Sequence, residues 1–295
     1  SVEVSGSVLT PASKFAAIIA AAGTVDVEIE SDGCNTTITA GKYQATLQGV
    51  DESDWPAPPS DTSSPISIPG DRLGKAIAQT VGCASTDPSR YILNGVLIES
   101  SDSGVFVVCT DGRQLAWSEV GDARREFSAV IPTLAADAIS RECVDPSASI
   151  CIGEDSLLLS GEDVKLWTRT IVGRFPEWRV VIPDAEKMTR VGILRENFLE
   201  SLRRVSLVVD PRLNYVHLTG DQDGVTITGA GPTEEAEEKV ICPAFDFDMA
   251  VNPGFLSRIL ATIQSDSVEM KIGSPGQPML LSGDGFDCVI MPMRK

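Results

Sequence analysis

The sequence predicts an α+β fold made of a repeated unit: a short strand, a helix, then an antiparallel meander. Three observations carry that expectation. Five similar segments recur at near-constant spacing, each holds one amphipathic helix pattern, and each is followed by alternating runs separated by tight turns.

The five segments are "SGSVLTPASKFAAIIAAA", "SPISIPGDRLGKAIAQTV", "REFSAVIPTLAADAIS", "TRVGILRENFLESLRRV" and "DFDMAVNPGFLSRILATI". Their helices begin near Pro11, Gly70, Pro132, Arg195 and Pro253, so successive starts lie 59, 62, 63 and 58 residues apart. Apolar residues fall three and four apart, as in Leu73, Ile77 and Val81 or Phe198, Leu202 and Val205, which is one buried stripe. Pro11, Pro132 and Pro253 are expected in the first turn, where a missing N–H costs nothing. After the second helix come "YILNGVLIES", "GVFVVCTDG" and "RQLAWSEV"; after the fifth come "VEMKIGS", "QPMLLSGDG" and "DCVIMPM". Two such units make a domain of ordinary size.

Two segments read as linkers. "DESDWPAPPSDTSSP", Asp51 to Pro65, holds four prolines and four acids, and Arg174 to Arg190 is kept extended by Pro176 and Pro183. Cutting there gives three domains, 1–62, 63–185 and 186–295, the first being half the size of a whole one.

Composition excludes several classes. The 295 residues, 42% hydrophobic, suffice for ordinary cores, and no run approaches the roughly 20 apolar residues of a membrane span. "SVEVSGSVLT" lacks the basic start and apolar block of a signal peptide, so a cytoplasmic setting is expected. Seven cysteines without a C-x-x-C pair signal neither a disulfide framework nor a zinc site, and reduced, mostly buried thiols are expected. The one histidine, His217, sits in the alternating run "NYVHLTG", which favours a strand residue over a catalytic base. No phosphate-cradling glycine loop is present, and no cofactor or metal is expected.

A net charge of −18 argues against nucleic acid until its distribution is read. The helix segments hold Lys14, Arg72, Lys75, Arg141, Arg195, Arg203, Arg204 and Arg258 against five acids. The rest of the chain has sixteen cations and thirty-seven anions, so the balance changes sign between helices and everything else. Helices gathered on one side of a continuous sheet would make that side electropositive, suited to a polyanion, while the outside repels it.

The chain also ends on an apolar run, "VIMPM", closed by Arg294 and Lys295. With it, "SRYILNGVLIE", "CTDGRQLA" and "TIVGRFPEWRVVIP" occur in an order and at spacings that resemble the bacterial DNA polymerase III beta subunit, the sliding clamp. The resemblance extends from about Ser7 to Arg294. It implies a DNA-clamp fold with helices on the inner face and sheets outside, non-enzymatic subunits pairing head to tail as a homodimer, and duplex DNA threaded through the ring.

It further implies a peptide-binding cleft for polymerase, clamp loader and repair proteins, with the C-terminal tail as one wall. Carried across residue by residue, the cleft takes Leu93 after the "RY" pair, then Thr110, Gly112, Arg113 and Leu115 from "TDGRQL". Pro176, Val180 and Val181 come from the connector, Asn252 and Phe255 from the start of the last helix. Val289, Ile290, Met291, Pro292, Met293 and Arg294 complete the wall. Methionines suit a surface that several partners share. Gln114 and Val180 stand where the family often has arginine.

By the same resemblance, Arg90 and Tyr91 belong to a loop that reaches toward the duplex, and the eight helix cations face it. Lys42 to Leu47 matches the edge strand used in subunit pairing, with Leu207 and Val208 in the facing segment. The family's usual first strand-helix-meander unit, about 60 residues, is absent, which leaves Ile18, Ile19 and Leu47 expected as exposed core surface. Two other readings stand beside the ring: a clamp-like peptide-binding module that does not close, and an enzyme recruiting Asp111, Asp246 or Asp248. Alternation puts Asp246 and Asp248 on one exposed strand face, where solvation is the ordinary explanation.

Overall fold

The computed structural model describes residues 6–50, 52–55, 66–122, 125–143, 145–153, 155–162, 164–243 and 245–293. Most of the first expected linker, Asp51 and 56–65, and Arg294 of the expected cleft lie outside the described residues. Two compact units are present, 1–60 and 61–295.

In the first unit, α1 (Ala12–Ala22) precedes a three-stranded antiparallel sheet of β1 (Val27–Asp32), β2 (Asn35–Ala40) and β3 (Tyr43–Gln48), with β3 at one edge. The alanine-rich sequence favours helix by itself. No residue of α1 is buried, and Ile18 and Ile19 are half-buried. Leu47 departs from its expected exposure. It lies opposite Thr36 on the sheet face that also carries Ile38, and is buried there.

The second unit opens with β4 (Ile66–Ser67), α2 (Gly70–Thr80), β5 (Gly95–Ser101), β6 (Gly104–Thr110), β7 (Gln114–Gly121) and β8 (Phe127–Pro132). It continues with α3 (Thr133–Glu142), β9 (Ser149–Ile152), β10 (Ser156–Ser160), β11 (Lys165–Arg169), β12 (Thr189–Leu194) and α4 (Arg195–Ser206). β13 (Val216–Asp221), β14 (Gly224–Ala230), β15 (Glu235–Ile241), β16 (Phe247–Val251), α5 (Pro253–Thr262), β17 (Ser267–Ile272), β18 (Met279–Gly283) and β19 (Phe286–Ile290) follow.

All five helices begin within one residue of their expected starts, with a shift at the prolines. Pro11 and Pro132 sit one position before the helix, at φ −61° and −58°, in extended rather than helical backbone. Pro253 does occupy the first turn, and Asn252 caps it: Oδ1 accepts from the N–H groups of Gly254 (2.8 Å) and Phe255 (3.2 Å). α2 packs on α3 and α4 on α5. Gly74 lies mid-helix, where glycine disfavours helix by about 1 kcal/mol. A Cβ there would come within 2.8 Å of the Cys143 carbonyl, so its absence lets the end of α3 approach.

Two four-stranded sheets, β11-β10-β9-β4 and β15-β14-β13-β16, flank an eight-stranded one in the order β12-β17-β18-β19-β7-β6-β5-β8. The large sheet is continuous because β19 pairs with β7, Phe286 opposite Ser118 and Ile290 opposite Gln114. Alternation along β7 then serves two cores. Ala116 and Val120 join the helix side with Leu73, Ile77, Phe198 and Leu256, whereas Leu115 joins a second cluster with Leu97, Val108, Phe175, Trp178 and Val289. The expected connector, 174–190, is thus no free linker: Phe175, Trp178 and Met188 cover the sheet's other face.

Four of the seven cysteines, Cys83, Cys109, Cys143 and Cys288, are buried. Burial pushes the Cys143 thiol up to about 11 and raises that of Cys109 further. Among the described residues no helix is long and apolar enough to cross a membrane.

Candidate functional site

The hairpin joining β6 to β7 is held by its own side chains. Thr110 Oγ1 donates to the Gln114 carbonyl at 2.6 Å and accepts from the Gly112 N–H at 3.0 Å. Asp111 Oδ1 accepts from the N–H groups of Arg113 (2.8 Å) and Gln114 (2.9 Å), and Oδ2 from the Gln114 amide (3.0 Å). Gly112 has φ +84°, where an L side chain is strained. From the 3₁₀ segment Pro88–Leu93, Arg90 Nη1 donates to the Asp111 carbonyl at 2.8 Å, bracing the turn from outside.

Against this hairpin lies the C-terminal tail. Val289 faces Leu115 across β19 and β7, and both enter the second apolar cluster, on which Leu93 packs half-buried. Ile290 points the opposite way, into the helix-side core. The tail then leaves the ladder: the Met291 N–H donates to the Arg113 carbonyl at 2.9 Å and the Met293 N–H to the Ala250 carbonyl at 2.8 Å. It is stretched between the β6–β7 hairpin and β16, two residues before Asn252. Met291 is 44% exposed, and Pro292, Met293 and Phe255 are half-buried. Beyond Pro292 a cavity of ≈ 260 Å³ opens between β16 and the β17–β18 turn, with Asp246 and Asp248 in its wall.

The connector supplies the remaining apolar surface. Its 3₁₀ turn, Trp178–Val181, leaves Val180 78% and Val181 47% exposed after an exposed Pro176. Trp178 is buried, its ring 5.9 Å from Trp117 and 5.7 Å from Phe106. Structure therefore brings together Leu93, Leu115 and Val289, and ties the tail to Arg113 and, through Ala250, to the strand that leads into Asn252. Such an arrangement can accept apolar side chains of another chain.

The expected polyanion contacts divide into engaged and open cations. Arg204 is engaged: Nε donates to Glu238 at 2.9 Å and Nη1 to Glu200 at 3.4 Å. Arg204, with Ser201 beside it, holds the Glu238 carboxyl down at about 2. Arg195 donates to the Ser265 and Leu260 carbonyls and pairs with Glu196, while Arg258 Nη1 reaches the Gly82 carbonyl. Arg90 serves the hairpin, next to a 59% exposed Tyr91. Among the described residues Lys14, Arg72, Arg141 and Arg203 have no ion pair, and all four are exposed. Arg72 lines a ≈ 340 Å³ cavity with Glu119 and Asp287, and exposed Lys75 helps hold the Asp284 carboxyl low, after two backbone N–H groups.

Two family models match consecutively: DNA polymerase III beta subunit, central domain, over residues 67–177, and DNA polymerase III beta subunit, C-terminal domain, over 179–294. The chain belongs to the DNA polymerase III beta-subunit family. It is 27% identical over 300 residues to the beta sliding clamp of Treponema pallidum, covering 95% of this chain and 80% of that one. The Streptomyces coelicolor beta sliding clamp is 27% identical over 316 residues, 99% and 83% of the two chains. Among solved structures, the Pseudomonas aeruginosa DNA polymerase III subunit beta superposes with a TM-score of 0.84 at 21% identity, covering 97% of this chain and 82% of that one. A clamp from the same organism bound to griselimycin gives 0.87 at 22%, with 97% and 81% covered.

For a beta-subunit chain, sequence reasoning overlooked Phe175 and Trp178, which form the floor on which Leu115 and Val289 rest. The signal was the "FPEW" run itself, whose two aromatics belong in a core and not in a solvated linker. Asp111, weighed as a catalytic acid, is occupied by three hydrogen bonds of the hairpin. Asp248 lies 2.6 Å from His217 Nε2 across β13 and β16. Among the described residues no His, Cys, Asp and Glu cluster could hold a metal.

Proposed function

We propose that the chain is a non-catalytic sliding clamp, encircling duplex DNA and tethering the replicative polymerase, clamp loader and repair proteins through short peptides bound at the tail. The three-domain division 1–62, 63–185 and 186–295 belongs to this reading. One observation carries it furthest: Met291, Val180 and Val181 stand exposed around the buried floor of Leu115, Val289 and Trp178, where a monomer gains nothing by presenting them. The sliding itself would rest on the open cations Lys14, Arg72, Arg141 and Arg203, with Lys75 beside Asp284, which attract phosphate without base contacts.

The proposal is tested with a labelled clamp-binding peptide from a bacterial replicative polymerase, titrated by fluorescence anisotropy. Met291→Ala with Met293→Ala is expected to weaken binding at least tenfold, about 1.4 kcal/mol. Unchanged affinity in the double variant, or a wild-type chain that does not bind, overturns the cleft. A nuclease or hydrolase assay with added magnesium is expected to read blank, and turnover would return the acids to consideration.

A further inference from the structure

We infer that Arg179 is a positioning residue for the proposed cleft, locking the connector turn so that Val180 and Val181 stay presented to a bound peptide; this rests on the cleft reading above. The turn Trp178–Val181 is one 3₁₀ turn long and gains little stability from its own backbone. Side chains on either side of its first peptide bond fix it instead.

Trp178 is the first anchor, 5% exposed within the second apolar cluster. Arg179 is the second. Its guanidinium pairs with Glu99 on β5, reaches the Ser101 hydroxyl at 3.4 Å, and lies over two rings, 4.2 Å from the Trp178 centroid and 5.2 Å from that of Phe106. A planar cation between an aromatic pair and a carboxylate that is only 20% exposed is held in position and orientation, as a flexible surface ion pair is not. With residues 178 and 179 both committed to the sheet, the next two side chains are left on the outer side of the turn. Two β-branched apolar residues thus stand 78% and 47% exposed next to a buried Trp178 and an Arg179 whose side chain is 43% exposed.

Stability alone does not call for this arrangement, since polar residues at 180 and 181 would close the same turn without exposing apolar surface. The latch therefore acts on the peptide through Val180 and Val181, and Arg179 itself need not touch it.

The experiment uses the full chain and the labelled polymerase peptide. Arg179→Ala is expected to weaken binding about tenfold and to shift the tryptophan emission of the chain, while Arg179→Lys, which keeps the charge over the rings but loses the planar fork, recovers part of the affinity. Against a Val180→Ala, Val181→Ala background, Arg179→Ala is expected to cost nothing further, because its effect passes through those two side chains. A general loosening of the fold would instead add its loss in that background. Glu99→Gln, a milder change, covers the case in which the alanine variant folds poorly and is expected to weaken binding in the same direction. Wild-type affinity in Arg179→Ala, or full additivity with the valine substitutions, overturns the latch while leaving the cleft intact. If the wild-type chain binds no peptide, or Met291→Ala with Met293→Ala leaves binding unchanged, the cleft reading fails first, and the two failures are told apart.

Discussion

Arg203 and Arg204 are adjacent in the sequence and equal in charge, yet the fold gives them different work. Arg204 spends its guanidinium on Glu238, Glu200 and Ser201, so its charge is largely cancelled locally. Arg203, one helical position back, is exposed and without an ion pair among the described residues. A phosphate approaching α4 therefore meets Arg203 at full strength and Arg204 through a carboxylate screen. Arg203→Glu is expected to shorten the lifetime of loaded protein on nicked circular DNA several-fold and to reduce its salt sensitivity. Arg204→Glu, by contrast, places a carboxylate beside Glu238 and is expected to lower the thermal midpoint before it alters retention. Equal retention losses with equal midpoints would show that the two arginines are interchangeable and that the local pairing has no bearing on DNA.

At the scale of elements, the β6–β7 hairpin is the most fully braced turn of the site, and Asp111 is its centre. Asp111→Ala removes the acceptor of two main-chain N–H groups and one amide, a loss of about 1–2 kcal/mol by the usual worth of such bonds. Because the Met291 N–H hangs from the Arg113 carbonyl in the same turn, the tail should loosen with it. Faster amide exchange at Gln114 and Met291 and weaker peptide binding are the expected pair of results, and loosening at Gln114 alone would separate tail from turn. The helices were readable in advance, since Leu73 with Ile77 and Phe198 with Leu202 declare a buried stripe locally. What the sequence concealed was the pairing of β19 with β7, which joins Ile290 to Gln114 across more than 170 residues, and no local period encodes such a register. Connector residues were misread for a related reason: Pro176 and Pro183 do forbid helix, but extended backbone lies on a sheet as readily as it crosses solvent. The engagement of Arg90 by Asp111 was equally hidden, because it depends on two loops meeting in space.

For the whole molecule, the question is how one copy meets another. β3 and β15 each end a sheet, and a sheet edge offers unpaired N–H and C=O groups to a second chain. Leu47 is buried, so subunit pairing at β3 would proceed through its main chain with Lys42 and the exposed Tyr43 at its start, not through the leucine. Leu207 and Val208 lie in a tight turn after α4, with Val208 held back to the Val205 carbonyl, and this turn packs beside Gly229 and Gly231 where β14 runs toward β15. Leu207 is 85% exposed there, an apolar side chain turned to solvent in a single copy. If β3 of one copy pairs along β15 of another, Leu207 is covered only in the assembly, and replacing it should cost association without costing the fold. Leu207→Asp is thus expected to reduce the solution mass from about twice 31.4 kDa to that of one chain, with the thermal midpoint within a degree or two of wild type at low concentration. A wild-type mass of a single chain would favour the open peptide-binding module over the ring. A variant that stays dimeric would put the subunit contact elsewhere on the surface.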